Sequence, residues 1–341
     1  MSDFQMVVGF EDVWRPPAGV RTRRAIPVLG RAATAAAVRS KLSRVVAKMP
    51  EVMVKVTGRT RDAGHLRAHL SYITRNGELA AEGRDGLEVS GAREVSELAD
   101  DWSMAAELDS RRRVSTPFSV SMILSMPADT DAARLLDAAR AFAAEQFGER
   151  HDYLFALHTD TRHPHVHLTV RALGDHGERL NPKKADLEAW RQAFAEQLRQ
   201  RGVEAEATPR RARGITRKPE RTAVRKIRER HEGGAGTQPK VLRGAYKDAA
   251  RAAFGGENSP RPWEVRLTDA QVRIRRLYLQ QAVLLRRSDD PSDRALGDRV
   301  VAFVQRMPSP DTQRLALARE LRDVNSRQAQ VQVETSRGRS R

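Results

Sequence analysis

Three histidines in one short segment are the residues of this chain best suited to metal chemistry. Six of the nine histidines fall between residues 151 and 176, and the segment 158–167 has the sequence HTDTRHPHVH. Alternate residues of a β-strand lie on one face, so His165 and His167 point the same way. If the residues before them form a hairpin loop, His158 returns opposite His165 on the neighbouring strand. The spacing therefore predicts three imidazoles that converge on one point.

Three convergent imidazoles with an open coordination position are typical of a catalytic metal site. The alternative is a set of surface histidines that only solubilise a strand. The chain has no cysteine, which excludes disulfides, thiolate zinc sites and a thiol nucleophile. We therefore expect a divalent metal ion, with Mn²⁺ or Mg²⁺ ahead of Zn²⁺. Asp160 could accept a ligand's second ring proton, act as a base, or be an ordinary turn aspartate, and His163 is a second candidate base.

A tyrosine on a predicted helix is the candidate nucleophile. His65, His69 and Tyr72 are spaced i, i+4 and i+7, which places them on one stripe of a helix over 65–76 that ends at Gly77. A phenol titrates at about pH 10, so its attack at neutral pH needs a base or a nearby cation. The chain has four tyrosines, and a metal site would narrow the choice to Tyr72. Leu66, Leu70 and Ile73 form a neighbouring apolar stripe that should dock on the sheet. Without a metal site, Tyr72 is a packing residue at the margin of this buried face.

The pattern around these residues predicts an α+β fold, with a mainly antiparallel sheet and helices packed on it. Alternating apolar residues predict strands over 52–57, 118–126, 153–158 and 165–171. Helical periodicity predicts further helices over 129–147 and 185–201.

Four segments follow from the same patterns. Residues 1–48 are predicted to be a basic, loosely ordered arm with at most one helix, near 32–48. Residues 49–215 form the domain that can hold a site. Residues 216–330 are predicted to be helical, polar and arginine-rich, and residues 331–341 to be a disordered tail.

The charge of the chain indicates a polyanionic partner. Its 61 Lys and Arg residues against 44 Asp and Glu give a formal charge of +17, and arginine-dense stretches without an apolar face favour nucleic acid over a membrane surface. The candidate contacts to DNA are Arg75, Arg162, Lys183, Lys184, Arg210, Arg211 and Arg213. No apolar run is long enough to span a membrane and the first residues do not resemble a signal peptide, so we expect a cytoplasmic protein without membrane insertion.

At these residues the chain resembles the relaxase and mobilisation nuclease family, the conjugative members of the HUH endonucleases. The segment HLSYITRNG at 69–77 is similar to the family's tyrosine motif, and the segment 158–167 is similar to its histidine motif. MILSMP at 122–127 and RLNPKKADL at 179–187 resemble stretches that lie between and after these motifs. The resemblance covers roughly residues 51 to 215.

The resemblance implies a five-stranded antiparallel sheet that carries the metal, with Tyr72 as nucleophile and His158, His165 and His167 as ligands. Ser119 is a departure, since some relatives have a histidine at this position. The rest of the chain has no Gly-x-x-x-x-Gly-Lys-Ser/Thr motif and resembles a stand-alone relaxase.

The activity that the resemblance implies is site-specific nicking of one DNA strand at an origin of transfer, with a covalent 5′-phosphotyrosine intermediate that can religate. The implied partners are single-stranded DNA, the duplex origin, relaxosome accessory proteins and the coupling protein of a secretion channel. Three alternatives remain open. They are a replication-initiating HUH endonuclease, a histidine-triad nucleotide hydrolase and a DNA-binding accessory protein without enzymatic activity.

Overall fold

The computed structural model describes residues 5–16, 35–217, 219–256 and 259–339 of the chain. Residue contacts divide the chain into two compact units. We call Arg15–Thr208 the sheet unit, and Met1–Trp14 together with Pro209–Arg341 the helical unit. The predicted arm at 1–48 is thereby divided between the two units.

A six-stranded sheet lies at the centre of the sheet unit. Its strands are β1 Met53–Thr60, β2 Ala81–Gly83, β3 Glu88–Val89, β4 Ser119–Ser125, β5 Tyr153–His158 and β6 His165–Arg171. They are ordered β1-β4-β6-β5-β2-β3, and each neighbouring pair is antiparallel. The α+β class with an antiparallel sheet is confirmed. The sheet has six strands, whereas the resemblance implies five and alternation alone predicts four. Alternation misses β2 and β3 because they have only three and two residues.

The last two strands form the predicted hairpin. His158 pairs with His165 across it, and Ala156 pairs with His167. Val166, Leu168 and Val170 alternate with the β6 histidines and are buried in one core cluster. The two histidines of β6 therefore share the opposite face, as the alternation predicts.

Helices cover both faces of the sheet. They are α1 Ala35–Val46, α2 Ala63–Ile73, α3 Gly91–Leu108, α4 Ala132–Phe147 and α5 Lys184–Gln200. Helices α4 and α5 pack on the face of Val166, where Phe142 contacts Phe194 with ring centroids 5.8 Å apart. Helices α2 and α3 pack on the other face, through a cluster that includes Trp102 and Ala156. The histidines therefore lie on the side of the sheet that α2 and α3 cover.

Five further helices build the helical unit. They are α6 Thr222–Glu232, α7 Lys240–Phe254, α8 Pro262–Arg286, α9 Pro291–Gln305 and α10 Gln313–Arg339. Small side chains, Ala249, Ala252 and Ala318, let α7 and α10 approach each other closely. Glu264 on α8 is fully buried and accepts hydrogen bonds from Arg314 and, at 2.6 Å, from the hydroxyl of Thr312.

The first described residues belong to the core of the helical unit. A 3₁₀ helix, Phe10–Val13, packs on α8, and the Phe10 ring lies 5.1 Å from Trp14 and 5.5 Å from Tyr278. The Trp14 indole N–H donates to the Tyr278 hydroxyl at 3.2 Å. The ordered segment differs from the loose arm that the sequence predicts. Phe10 and Trp14 anchor it, and two aromatic residues next to Gly and Pro form no periodic pattern that would indicate an ordered element. Helix α1 matches the helix predicted near 32–48, and residues 17–34 lie outside the described residues.

Helix α10 continues to Arg339, which differs from the disordered tail predicted over 331–341. The sequence from 326 to 334 contains no Pro or Gly and is rich in Gln, Arg, Ala and Glu, which favour a helix. Residues 340 and 341 lie outside the described residues. Within the described part of the chain, no helix has the length and apolar character needed to cross a membrane.

Candidate metal centre and tyrosine site

The structure brings the three predicted metal ligands together at the loop end of the β5–β6 hairpin. Candidate ligand atoms of His158, His165 and His167 all lie within 4.8 Å of one another. Their ring centroids are 4.5 to 5.4 Å apart. His158 and His167 are buried and His165 is half-buried, so the group is accessible on one side. One ion could contact all three side chains.

Hydrogen bonds occupy the second nitrogen of two of these rings. His158 Nε2 donates to the carbonyl oxygen of Ile73 at 2.7 Å, and His165 Nδ1 donates to the carbonyl oxygen of His163 at 3.1 Å. A carbonyl oxygen can only accept, so the other nitrogen of each ring keeps a lone pair for a cation. Carbonyl groups orient metal-binding histidines in this way at many metal sites.

His167 is held in its neutral form. Burial lowers the pKa of His167, and the neighbouring His158 and His165 lower it further, to about 4. A histidine must be neutral to bind a metal ion. The burial, the oriented second nitrogens and the all-nitrogen donor set therefore fit a divalent cation.

Helix α2 carries Tyr72 to the histidines. The Asp62 carboxylate caps its first turn by accepting from the backbone N–H of His65 at 2.7 Å. Leu66 and Leu70 are fully buried against the sheet, as the apolar stripe of the helix predicts, and each contributes about 2 kcal/mol by its burial. This packing fixes which side of α2 faces the sheet and leaves Tyr72 at the margin.

The Tyr72 ring stands edge-on to His167. Their ring centroids are 5.9 Å apart, and the ring planes are 88° apart. The Tyr72 side chain is 66% exposed, so a substrate that approaches the histidines can also reach its hydroxyl. The structure thus joins the two motifs, which are separated by 85 residues in the chain, since His158 contacts Ile73 directly.

The chain turns sharply after α2. Arg75, Asn76 and Gly77 have left-handed φ angles of 51°, 59° and 86°. The Gly77 carbonyl accepts from the backbone N–H of Gly91 at 2.9 Å, which places this turn against the start of α3. Left-handed residues other than glycine cost about 1 kcal/mol or more each and are concentrated at functional sites. The turn directs Arg75 towards the β5–β6 loop.

Asp160 in the β5–β6 loop pairs with Arg75, and their closest nitrogen and oxygen are 3.0 Å apart. Both side chains are about half exposed. Backbone carbonyls, and not Asp160, accept from the second nitrogens of His158 and His165, and the role of Asp160 as a base stays a prediction. His163, the other candidate base, is exposed in the same loop, as is the candidate DNA contact Arg162.

The remaining candidate DNA contacts lie on other elements of the chain. Lys183 and Lys184 cap and begin α5, which packs on the face of the sheet opposite the histidines. Arg210, Arg211 and Arg213 lie on a 3₁₀ helix of the helical unit, where Arg211 donates to the backbone carbonyl of Asp12 at 2.7 Å. Proximity to the histidine motif in the sequence therefore does not place Lys183 and Lys184 on the same face of the sheet as the histidines.

Sequence reasoning missed a set of hydroxyl groups on the same face as the histidines. Ser121 Oγ and Thr169 Oγ1 lie 2.7 and 2.9 Å from Nε2 of His69. Ser119, the departure from the family pattern, has its hydroxyl 2.7 Å from that of Thr60, and both are buried. The available signal was the serines at alternate positions of an otherwise apolar strand.

Comparisons with known proteins cover the segment that holds the site. The nuclease domain of MobA/VirD2-like relaxases matches residues 72–203. The T-DNA border endonuclease VirD2 of Rhizobium radiobacter is 30% identical over 188 residues, 50% of this chain and 44% of the relative. VirD2 of Agrobacterium fabrum is 27% identical over 322 residues, 84% of this chain and 69% of the relative.

Among solved structures, a MobM relaxase domain bound to a 26-nucleotide oriT DNA aligns with 46% of this chain and 90% of its own, at 16% identity and a TM-score of 0.35. The chain spans less than half the length of the Rhizobium radiobacter relative. The matched segment begins at Tyr72 and contains His158, His165 and His167. Residues 72–203 are therefore similar to the nuclease domain of MobA/VirD2-like relaxases, and the chain is similar to T-DNA border endonucleases.

Proposed function

We propose that this protein is a conjugative or mobilisation relaxase, which nicks one DNA strand at an origin of transfer and stays attached to its 5′ end through Tyr72. The observation that carries the proposal is the Tyr72 ring standing against His167 within the three-histidine cluster. The relatives named as T-DNA border endonucleases support DNA cleavage as the activity. A histidine-triad hydrolase would not need a tyrosine at this position.

In the proposed reaction, the Tyr72 oxygen forms a bond to the scissile phosphorus while the bond from phosphorus to the 3′ oxygen breaks. The DNA 3′ oxygen leaves and takes up a proton, and the tyrosine hydroxyl loses one. Asp160 and His163 are the proposed acceptors of the tyrosine proton. One phosphodiester replaces another, so the step needs no nucleotide energy source and its reversal religates the strand.

His158, His165 and His167 are the proposed ligands of a divalent cation, Mn²⁺ or Mg²⁺ ahead of Zn²⁺. When bound, the cation would neutralise charge on the scissile phosphate and so supply transition-state stabilisation. The chain contributes three imidazoles, of which His158 and His165 are oriented by backbone carbonyls and His167 is kept neutral by its lowered pKa. Tyr72 lies beside this set, where an aligned phosphate would meet its hydroxyl.

The charge of +17 supports DNA as the substrate. Arg75 and Arg162, in the loops beside the histidines, are proposed to contact phosphates that flank the nick. Further proposed contacts to DNA phosphates are Lys183 and Lys184 of the sheet unit and Arg210, Arg211 and Arg213 of the helical unit. The strand must reach Tyr72 unpaired, and its affinity should fall steeply as salt is raised. Accessory proteins and a coupling protein remain proposed partners.

The test is the formation of a covalent DNA adduct. The protein is incubated with Mn²⁺ or Mg²⁺ and single-stranded oligonucleotides tiled across the DNA around its gene, and the products are separated on a denaturing gel. We expect a protein band shifted by DNA, which EDTA and Tyr72→Phe abolish. Tyr246→Phe is the matched control, because Tyr246 is an exposed tyrosine of the helical unit.

Each result has one meaning. An adduct that Tyr72→Phe abolishes and Tyr246→Phe retains supports tyrosyl transfer at Tyr72. An adduct that still forms in Tyr72→Phe shows that another residue is the nucleophile. Tight DNA binding without any adduct, on tiles shown to contain the origin, favours the accessory-protein alternative.

A further inference from the structure

His69 lies one helical turn before Tyr72 on α2. Its Nε2 is 2.7 Å from Ser121 Oγ and 2.9 Å from Thr169 Oγ1, distances at which hydrogen bonds form. The His69 side chain is half-buried, whereas His65, one turn earlier on the helix, is exposed. Burial lowers the pKa of His69, and the nearby His65 lowers it further, which favours the neutral form of the ring.

The hydroxyl group of Thr169 lies on β6, the strand that carries His165 and His167, and that of Ser121 lies on the neighbouring strand β4. Ser121 on β4 pairs directly with Thr169 on β6. Thr169 lies two residues after His167, on the same face of β6. The His69 ring therefore connects α2 to the central strands beside the histidine cluster.

A second contact fixes the other side of Tyr72. The backbone carbonyl of Ile73, the residue after Tyr72, accepts from the ring of His158 at 2.7 Å. The helix is thus attached to the ligand-bearing strands both before and after the tyrosine. Since the Tyr72 side chain is 66% exposed, its own packing does little to hold it, and its position depends on how α2 is held.

We infer that His69 is a positioning residue that, through Ser121 and Thr169, sets the distance between Tyr72 and the histidine cluster. The inference rests on the proposed function, with Tyr72 as nucleophile. Reactions between aligned groups are sensitive to small displacements, and an error of about 1 Å can cost roughly 100-fold in rate. Loss of the His69 contact should therefore slow the covalent step more than it weakens DNA binding.

The experiment measures single-turnover adduct formation with saturating oligonucleotide and Mn²⁺, together with DNA affinity and thermal unfolding. We expect His69→Ala to reduce the rate constant about 10- to 100-fold while the DNA Kd changes less than about 3-fold. His69→Gln, whose amide reaches about as far as Nε2, should restore most of the rate. His65→Ala is the matched control and should form adduct at the wild-type rate.

Other results would overturn the inference. A His69→Ala variant that reacts as fast as His65→Ala, or one that loses DNA affinity and not rate, excludes a positioning role. If His69→Gln is folded but as slow as His69→Ala, the hydrogen bonds are not the basis of the effect. If His69→Ala does not fold, the double variant Ser121→Ala with Thr169→Val removes the same contact, and wild-type speed in it refutes the inference.

Failure of the proposed function gives a different pattern. In that case the wild-type protein forms no adduct, or Tyr72→Phe forms as much adduct as the wild type. The rates of the His69 variants are therefore compared only once Tyr72→Phe has been shown to abolish the adduct.

Discussion

Replacement of Gly77 by alanine should disrupt the turn that follows the helix of Tyr72. A Cβ atom at Gly77 would lie 2.2 Å from the carbonyl carbon of Gly91 and 2.4 Å from the backbone nitrogen of Ala92. Both are main-chain atoms at the start of α3, so no side chain can rotate away to relieve the contact. Gly77 also has a φ of +86°, which an alanine adopts only at a cost.

The magnitude follows from these two effects. The left-handed backbone costs an alanine about 1 to 2 kcal/mol, and the backbone shift that separates Gly77 from Gly91 costs about 1 to 3 kcal/mol more. We therefore expect Gly77→Ala to lower the free energy of unfolding by about 2 to 5 kcal/mol. Gly86→Ala is the control, because Gly86 has a φ of +78° and a Cβ atom there would have no neighbour within 4 Å, so only the backbone cost of about 1 to 2 kcal/mol applies.

Urea unfolding of both variants and the wild type, followed by circular dichroism, measures the difference. Adduct formation should also slow in Gly77→Ala at urea concentrations where it is still folded, because the shifted turn displaces the end of α2. If the two substitutions lower the free energy of unfolding equally, the close contact with Gly91 costs nothing and the reasoning is refuted.

Three further outcomes follow from buried charges and from the histidines. Burial raises the pKa of Glu264, but hydrogen bonds led by Arg314 outweigh it and lower that pKa to about 2. Because the pKa of Glu264 in the folded protein lies below the ordinary 4.5, its ionisation contributes about 3 kcal/mol of stability above pH 4.5, which is lost as the pH falls towards 2. Urea titrations at several pH values should show this loss in the wild type and not in Glu264→Gln. Glu206→Gln leaves the buried Lys41 ammonium, now 2.7 Å from a carboxylate oxygen, without that charge partner, and should cost about 3 to 5 kcal/mol in the same assay. Mn²⁺ at about 100 times its Kd should stabilise the metal-free protein by about 2.7 kcal/mol in thermal melts, and an equal shift in His167→Ala would exclude that histidine as a ligand.

The centre of the fold could be predicted because its pattern is local. The β5–β6 hairpin alternates histidine with valine and leucine, so the sequence alone predicts both the register and the face of each ligand candidate. The apolar stripe of α2 likewise predicts which side of the helix meets the sheet. In these elements the residues that determine the geometry are close together in the chain.

The parts that could not be predicted depend on distant contacts. The Phe10–Val13 helix is ordered by Tyr278, which lies more than 260 residues away in the chain. Lys183 and Lys184 follow the histidine motif closely, yet α5 carries them to the opposite face of the sheet. The partner of Asp160 is Arg75, which reaches it only because two residues other than glycine, Arg75 and Asn76, adopt left-handed conformations. Local propensity indicates none of these features.

The placement of Tyr72 explains why two separate motifs are needed for one site. A side chain that is mostly exposed is held by its backbone, and α2 together with the turn after it is held at three positions. His69 contacts β4 and β6, the Ile73 carbonyl contacts His158, and Gly77 contacts the start of α3. Each of these contacts joins α2 to a segment outside the tyrosine motif. The geometry of the tyrosine is therefore a property of the folded sheet unit, and substitutions that leave both motifs intact can still displace it.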